Sequence, residues 1–439
     1  MSIFTFRGGI HPLKDRHEGK SETRDKPVKE FVAKTVCIPV DTHLGAPSVP
    51  VVKKGDRVLV GQVIAEAAGP RGIPVHASVS GTVTAVGKMQ MMGKLPSPCI
   101  FIENDEQDEW VELTPLGDVE QAAAEKIIPA IQAAGICGMG GACFPTHAKM
   151  TLPEGQTVDT IILNGAECET FLTADYRLMV EQSQRVVDGL RAAMRAMNVS
   201  RGVIAIEDNK PEAITAMQQA AAGRTGVEVA TLKTKYPQGG EKQLIEAITG
   251  KQVPSGGLPM HVQVVVLNVA TAAAIADAVK EGKPLVSRIT TVTGCVKEPS
   301  NLLLRMGTSV SDAVGACGGY SEEPGKIFFG GSMTGLCIPD DQVPMTKANN
   351  GIVVLNEKQG KSHVENPCIR CGRCVEACPT KLNPMELRNL LDTDKMEEAE
   401  KKNLTDCILC GSCSYVCPAK RWLVASFKEA KDLIAARRN

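Results

Sequence analysis

Eight of the chain's 16 cysteines fall between Cys368 and Cys417, in two copies of one pattern. The first copy is Cys368-Ile369-Arg370-Cys371-Gly372-Arg373-Cys374-Val375-Glu376-Ala377-Cys378-Pro379. The second is Cys407-Ile408-Leu409-Cys410-Gly411-Ser412-Cys413-Ser414-Tyr415-Val416-Cys417-Pro418. Three thiolates two residues apart can wrap one iron–sulfur cube in a tight loop, while the fourth points away and ligates the cube of the other copy. The spacing therefore predicts two 4Fe-4S clusters, one on Cys368, Cys371, Cys374 and Cys417 and the other on Cys407, Cys410, Cys413 and Cys378. A pair of zinc knuckles is the alternative, but zinc needs only four ligands per site and rarely uses three cysteines at this spacing followed by Cys-Pro. Gly372 and Gly411 suit the close backbone approach of a cluster loop. Between the copies, Asn383-Pro384-Met385-Glu386 supplies a helix cap, and Leu387, Leu390 and Leu391 give a helical stripe. A helical ferredoxin-like unit over 360–439 follows.

The remaining sequence is too long for one core. At roughly 100 to 200 residues per domain, 439 residues suggest about three units. A net charge of −1 gives no electrostatic footprint for nucleic acid, and 9 Phe, 2 Trp and 4 Tyr are too few for a base-stacking platform. With no long apolar run and no apolar core near the N-terminus, neither a membrane span nor a signal peptide is expected. The expected location is cytoplasmic, where clustered cysteines bind metal more often than they form structural disulfides.

Residues 35–115 are rich in Val, Gly and Pro, with alternating segments such as Asp56-Arg57-Val58-Leu59-Val60 and Gly81-Thr82-Val83-Thr84-Ala85-Val86, which predicts a small β-unit after an N-terminal segment, 1–34. Its wording resembles the barrel-sandwich fold of lipoyl and biotinyl carriers. Where those carry a modifiable lysine, this chain has Gly69-Pro70-Arg71-Gly72, so docking or scaffolding is the expected role. Residues 119–285 alternate helix and strand patterns, predicting a βαβ-type sheet able to hold a nucleotide or flavin. From 286 to 355 the pattern returns to β, consistent with a β-grasp unit and a return segment. The fold class is multidomain α/β.

The densest glycine cluster outside the cysteine motifs is Gly135-Ile136-Cys137-Gly138-Met139-Gly140-Gly141-Ala142-Cys143-Phe144-Pro145. Its backbone N–H groups could cradle a phosphate. It lacks the dinucleotide fingerprint, because it follows a helix and its spacing is not G-x-G-x-x-G. A packing turn is the other reading.

This loop resembles the flavin loop of the NADH-binding flavoprotein subunit of respiratory complex I, with its GRGGAGFPT…K pattern. The whole chain, from Gly8-Gly9-Ile10-His11-Pro12 to the cluster motifs, is similar to the RnfC family, peripheral subunits of the Rnf ion-translocating electron transport complexes. The marks include GGACFPTHAK at 140–149, NGAECE at 164–169 and TKYPQGGEKQL at 234–244. The resemblance implies FMN approached by Gly138, Gly140 and Gly141, with Lys149 on its phosphate. Further FMN contacts would come from Asn164 and Glu167, from Tyr236, Gly239 and Glu241, and from Asn268 and Thr271. Phe144 and Glu169 would lie near NADH. It also implies electron exchange between NADH, FMN and the two clusters, with ferredoxin-like and integral membrane subunits as partners, on the cytoplasmic side of the inner membrane. A relay module without flavin and a cobalamin-reductase-like flavoprotein are the alternatives. The eight dispersed cysteines are expected to be buried small hydrophobes. From Arg421 onward five basic residues outnumber two acidic ones in a predicted C-terminal helix.

Overall fold

A computed structural model describes residues 3–12, 19–92 and 95–438. Parts of the N-terminal signal-peptide reading and the final residue of the C-terminal basic run lie outside them. Among the described residues no helix is long and apolar enough to cross a membrane.

The first β-unit is a sandwich. Strands Thr35–Pro39, Ser97–Asn104, Gly81–Met89 and Arg57–Val58 form one sheet, and Val49–Pro50, Val63–Glu66 and Val75–His76 the other. Alternation along the strands turns Val36, Ile38, Ile64, Val83, Ile100 and Ile102 into the gap between them, where all are buried. The Gly69–Gly72 turn at a carrier's lysine position is docked rather than free. The Pro70 carbonyl lies 3.5 Å from His147 Nε2, and the Arg71 guanidinium lies 5.9 Å from the Phe144 ring centre.

The central unit holds a four-stranded, wholly parallel sheet in the order Val227–Leu232, Arg201–Glu207, Thr160–Gly165, Val264–Asn268. Its strands read as near-continuous apolar runs because helices cover both faces. Helices Ser183–Met197 and Val269–Lys280 cross so closely that a Cβ on Gly189 would lie 1.7 Å from the Ala272 carbonyl oxygen. Glycine is tolerated inside that helix because only its missing side chain allows the contact. Chain order runs outward from Thr160–Gly165 in one direction and then jumps to its other side. The switch point therefore lies between Thr160–Gly165 and Val264–Asn268, at whose carboxyl ends ligands bind in such sheets.

The third unit is a six-stranded sheet in the order Lys29–Phe31, Ser300–Arg305, Ser287–Gly294, Gly351–Asn356, Pro324–Phe329, Leu336–Cys337. Its first strand comes from the N-terminal segment, which is threaded through the molecule. Phe4 bridges to Leu232, Ile10 to Tyr236, and Gly9 N–H donates to the Ala377 carbonyl at 3.1 Å. Gly8 and Gly9 have φ of +79° and +83°, and a Cβ on either would come within 2.8 Å of a backbone oxygen. The C-terminal unit is helical, with Leu387, Leu404, Leu423, Phe427 and Ile434 in its core.

Candidate functional site

At the switch point Asn164 and Asn268 are register partners on adjacent strands. Asn268 caps helix Val269–Lys280. Its Oδ1 accepts from Ala270 N–H at 2.8 Å and its Nδ2 donates to Asp175 at 2.7 Å. Asn164 donates to the Gly239 carbonyl at 2.8 Å. Both asparagines therefore satisfy the backbone while bordering the cleft. Above them the glycine loop closes as a small hairpin. Gly138 N–H donates to the Phe144 carbonyl at 2.8 Å, and Cys143 N–H returns to the Gly138 carbonyl at 3.1 Å. Buried Thr271 accepts from Met139 N–H at 2.9 Å, so it holds the loop and does not face the cleft.

The resulting cleft has a volume of about 620 Å³, within the range of small-molecule and cofactor sites. Its walls include Gly140, Gly141, Asn164, Glu167, Tyr236 and Asn268. Gly239, Glu241, Glu169 and, from the cluster unit, Cys410 complete the part that bears on function. A Cβ on Gly141, where φ is +115°, would meet nothing within 4 Å. The left-handed backbone, not crowding, calls for glycine there.

The carboxyls of Glu167 and Glu169 are both held inside the fold. The Glu167 carboxylate accepts from Asp175 N–H at 2.7 Å and Tyr176 N–H at 3.2 Å. Burial outweighs the nearby Lys20 and raises the Glu167 carboxyl to about 7. Lys20 Nζ donates to the carbonyls of Glu167, Glu169 and Leu172 at 2.7 to 2.8 Å, pinning this segment. The Glu169 carboxylate accepts from Met333 N–H at 2.6 Å and from the Thr334 hydroxyl at 2.9 Å, latching the return segment to the cleft. Burial raises the Glu169 and Asp175 carboxyls as well.

The remaining expected residues are divided. Lys149 sits outside the lining and pairs with Glu241, which lies in it, at 2.6 Å. Phe144 and Gly138 are also outside it, and Phe144 faces the β-sandwich turn. Asp175 and Cys168, neither of them named among the expected contacts, also border the cleft. Cys168 Sγ accepts from Gly239 N–H at 3.2 Å. Cys168 lies within the NGAECE segment, whereas no motif marks Asp175, whose role arises from contacts across the fold.

The cysteine motifs give two pseudo-equivalent loops. Arg370 and Gly372 have φ of +54° and +78°, and Leu409 and Gly411 have +57° and +80°. One cavity of about 610 Å³ is lined by Cys368, Cys371, Cys374 and Cys417. These are the four thiols assigned to the first cube. Burial raises the Cys413 thiol, with Cys407, Cys410 and Cys378 adding to it, which puts Cys378 beside the second loop. Tyr236 links this loop to the cleft, since its buried hydroxyl donates to the Cys410 carbonyl at 2.7 Å.

Comparison with known proteins divides the chain the same way. Residues 4–107 match the RnfC barrel sandwich hybrid domain, 131–277 the Nuo51 FMN-binding domain, 289–336 the SLBB domain and 361–420 the 4Fe-4S dicluster domain. The chain is 48% identical to a subunit of the proton-translocating ferredoxin:NAD(+) oxidoreductase complex of Clostridium ljungdahlii, over 97% of this chain and 93% of that one. It is 45% identical to the counterpart from the Na(+)-translocating complex of Acetobacterium woodii, over 99% and 98% respectively. An NAD+-reducing NiFe hydrogenase in the H2-reduced state shares the fold over 74% of this chain and 64% of that chain, with a TM-score of 0.53 at 20% identity.

Proposed function

The chain belongs to the RnfC family of the ion-translocating ferredoxin:NAD(+) oxidoreductase complexes, and from that membership we propose how its site works. It is an electron-transfer subunit that exchanges electrons between NADH, by way of FMN, and two 4Fe-4S clusters. Its partners are the other subunits of the complex, including a ferredoxin-like subunit and integral membrane subunits. We place it peripherally on the cytoplasmic side of the inner membrane.

The observation that carries the site assignment is a shared wall. The cleft at the sheet's switch point is bounded on one side by Gly140 and Gly141 and on another by Cys410. FMN, when bound, supplies the exchange between two-electron and one-electron chemistry. The protein's residues position and isolate it. Gly140 and Gly141 admit a close backbone approach, Asn164 and Asn268 hold the strand ends, and Tyr236 fixes the cluster loop against the cleft. Gly239 lies beside Asn164, and Glu167 keeps the buried floor ordered through the Asp175 and Tyr176 amides. Lys149, paired with Glu241 near the rim, is the phosphate anchor in this reading, and it would exchange one anionic partner for another. Gly138 and Thr271 act through the hairpin. For NADH, Glu169 borders the cleft while Phe144 lies beyond the glycine loop, so Glu169 is the better-placed contact. The cluster ligands are Cys368, Cys371, Cys374 and Cys417 for one cube and Cys407, Cys410, Cys413 and Cys378 for the other.

Anaerobic purification with flavin release, iron analysis and an NADH titration tests this. Stoichiometric FMN, with flavin and cluster absorbance bleached by NADH, is expected. Lys149→Ala and Glu167→Gln should lose flavin and keep iron, and Cys371→Ser should do the reverse. Fully matured protein lacking FMN would leave only a relay module.

A further inference from the structure

Two of the cysteines outside the cluster motifs meet. Cys137 and Cys143 stand at the foot of the glycine-loop hairpin, both buried, with their sulfurs 2.6 Å apart. Both are free thiols, and neither lines the cleft. The backbone brings them together, because Cys137 bridges to Pro145 and Cys143 N–H returns to the Gly138 carbonyl. Cys143 reaches this position with a φ of +48°, the left-handed region that residues other than glycine seldom occupy.

Two buried cations flank the pair. The charges of buried Lys347 and Arg288 act on both sulfurs. Lys347 Nζ donates to the Gly135 carbonyl at 2.7 Å, while Nη2 of Arg288 has no partner among the described residues. The hydrogen bond with Cys143 lowers the Cys137 thiol, with Lys347 and Arg288 helping against burial, and the same bond raises Cys143. Both sulfurs are buried, so it is their 2.6 Å approach that prepares them to pair, and only a small oxidant can reach them.

We propose that Cys137 and Cys143 are a peroxide-reactive dithiol that closes into a reversible disulfide across the glycine loop. The Cys137 thiolate attacks one peroxide oxygen. A sulfur–oxygen bond forms, the oxygen–oxygen bond breaks, and the departing hydroxide takes up a proton as water. The sulfur of Cys143, giving up its proton, then displaces hydroxide from the Cys137 sulfenic acid, forming the sulfur–sulfur bond and a second water. Two thiols are oxidised by two electrons and one peroxide is reduced to two waters. Disulfides that form in reducing compartments are mostly transient and redox-sensing. The cross-link spans Gly138 to Ala142, so it prevents the hairpin from opening. If this is the flavin loop, as proposed above, flavin exchange slows when the disulfide forms.

The test uses anaerobically prepared holoprotein exposed briefly to hydrogen peroxide, quenched with N-ethylmaleimide and digested with trypsin. The peptide 127–149 contains these two cysteines and no other. It should escape alkylation, be lighter by two hydrogens, and become doubly alkylated after dithiothreitol. In Cys143→Ser the same peptide should carry a dimedone adduct at Cys137. FMN release into excess apoflavodoxin should be several-fold slower in the oxidised protein and indifferent to peroxide in Cys143→Ser. The dithiol is refuted if the wild-type peptide stays doubly alkylated under peroxide that oxidises the exposed Cys337, or if Cys143→Ser gives no adduct. Disulfide formation with unchanged FMN release refutes the loop lock. Disulfide formation in matured protein that holds no FMN refutes the flavin reading and leaves the dithiol standing.

Discussion

In the first cluster loop Cys368 and Cys371 are exposed, and Ile369 between them is 67% exposed, whereas in the second Cys410 and Cys413 are buried. The two loops share ligand spacing and backbone angles, so the ligand pattern does not cause the difference. It comes from what covers them. The second loop is roofed by Ile10, Tyr236 and Met333, from the N-terminal segment, the central unit and the return segment, and among the described residues the first loop has no comparable roof. Local sequence therefore specifies the cube, while the surrounding fold specifies its place in a chain of carriers. The buried loop borders the cleft, and in the proposed reading the exposed one would face a partner subunit.

The strongest way to break this comparison is to remove one cube at a time. Cys410→Ser should abolish NADH-driven reduction of both clusters, whereas Cys371→Ser should leave the near cluster reducible and stop transfer to an external acceptor. Electron paramagnetic resonance after NADH addition reads both results. Equal behaviour of the two variants would remove the assigned order.

The two loops also rest on one core. Phe427→Ala, in the core against which cysteines of both loops pack, should cost about 3 to 5 kcal/mol and loosen both clusters together, seen as parallel iron loss on mild heating. Loss confined to one loop would show that they are separately supported.

A smaller change should separate them. Tyr236→Phe deletes the hydroxyl bond to the Cys410 carbonyl, with a cost of about 1 kcal/mol in denaturant unfolding. It should shift the near cluster's redox midpoint and spare the far one. Equal shifts would argue against a specific near-side contact.

A further effect is a pH dependence on the cleft side. The Glu167 carboxyl is raised from 4.5 to about 7 in the fold, chiefly by burial. Between those values the folded state holds a proton that the unfolded chain has released. Its stabilising contribution is thus complete below 4.5 and declines as pH rises through about 7. Glu167→Gln should flatten that part of the stability profile, measured by thermal unfolding from pH 4.5 to 8.

The cluster ligands are legible in the sequence because all their information is local: spacing, a following proline and a glycine. So are most elements of the central sheet, whose apolar runs announce buried strands. The cleft is readable only through family resemblance, since its parts are brought together from afar. Asn164 and Asn268 become neighbours through strand register, and Lys149 finds Glu241 ninety-two residues away. The latch from Glu169 to Met333 and the seal between Tyr236 and Cys410 depend equally on tertiary placement. Phe144, which the resemblance puts near a nucleotide, has the Arg71 guanidinium 5.9 Å from its ring centre, because the hairpin turns it toward the docked β-unit.

The threaded N-terminal segment also sets an order of assembly. Phe4 to Pro12 precede all their partners in synthesis; they bond to the central sheet and to Ala377, and the Pro12 carbonyl accepts from the Tyr415 hydroxyl at 2.9 Å. During synthesis Tyr415 emerges 403 residues after Pro12. Contacts between residues so distant along the chain form slowly. The early units can fold while translation continues, but the seam that joins them to the cluster unit can close only after the second cysteine motif has left the ribosome. Cluster insertion and the final tightening of the molecule therefore fall in the same late interval of its biogenesis.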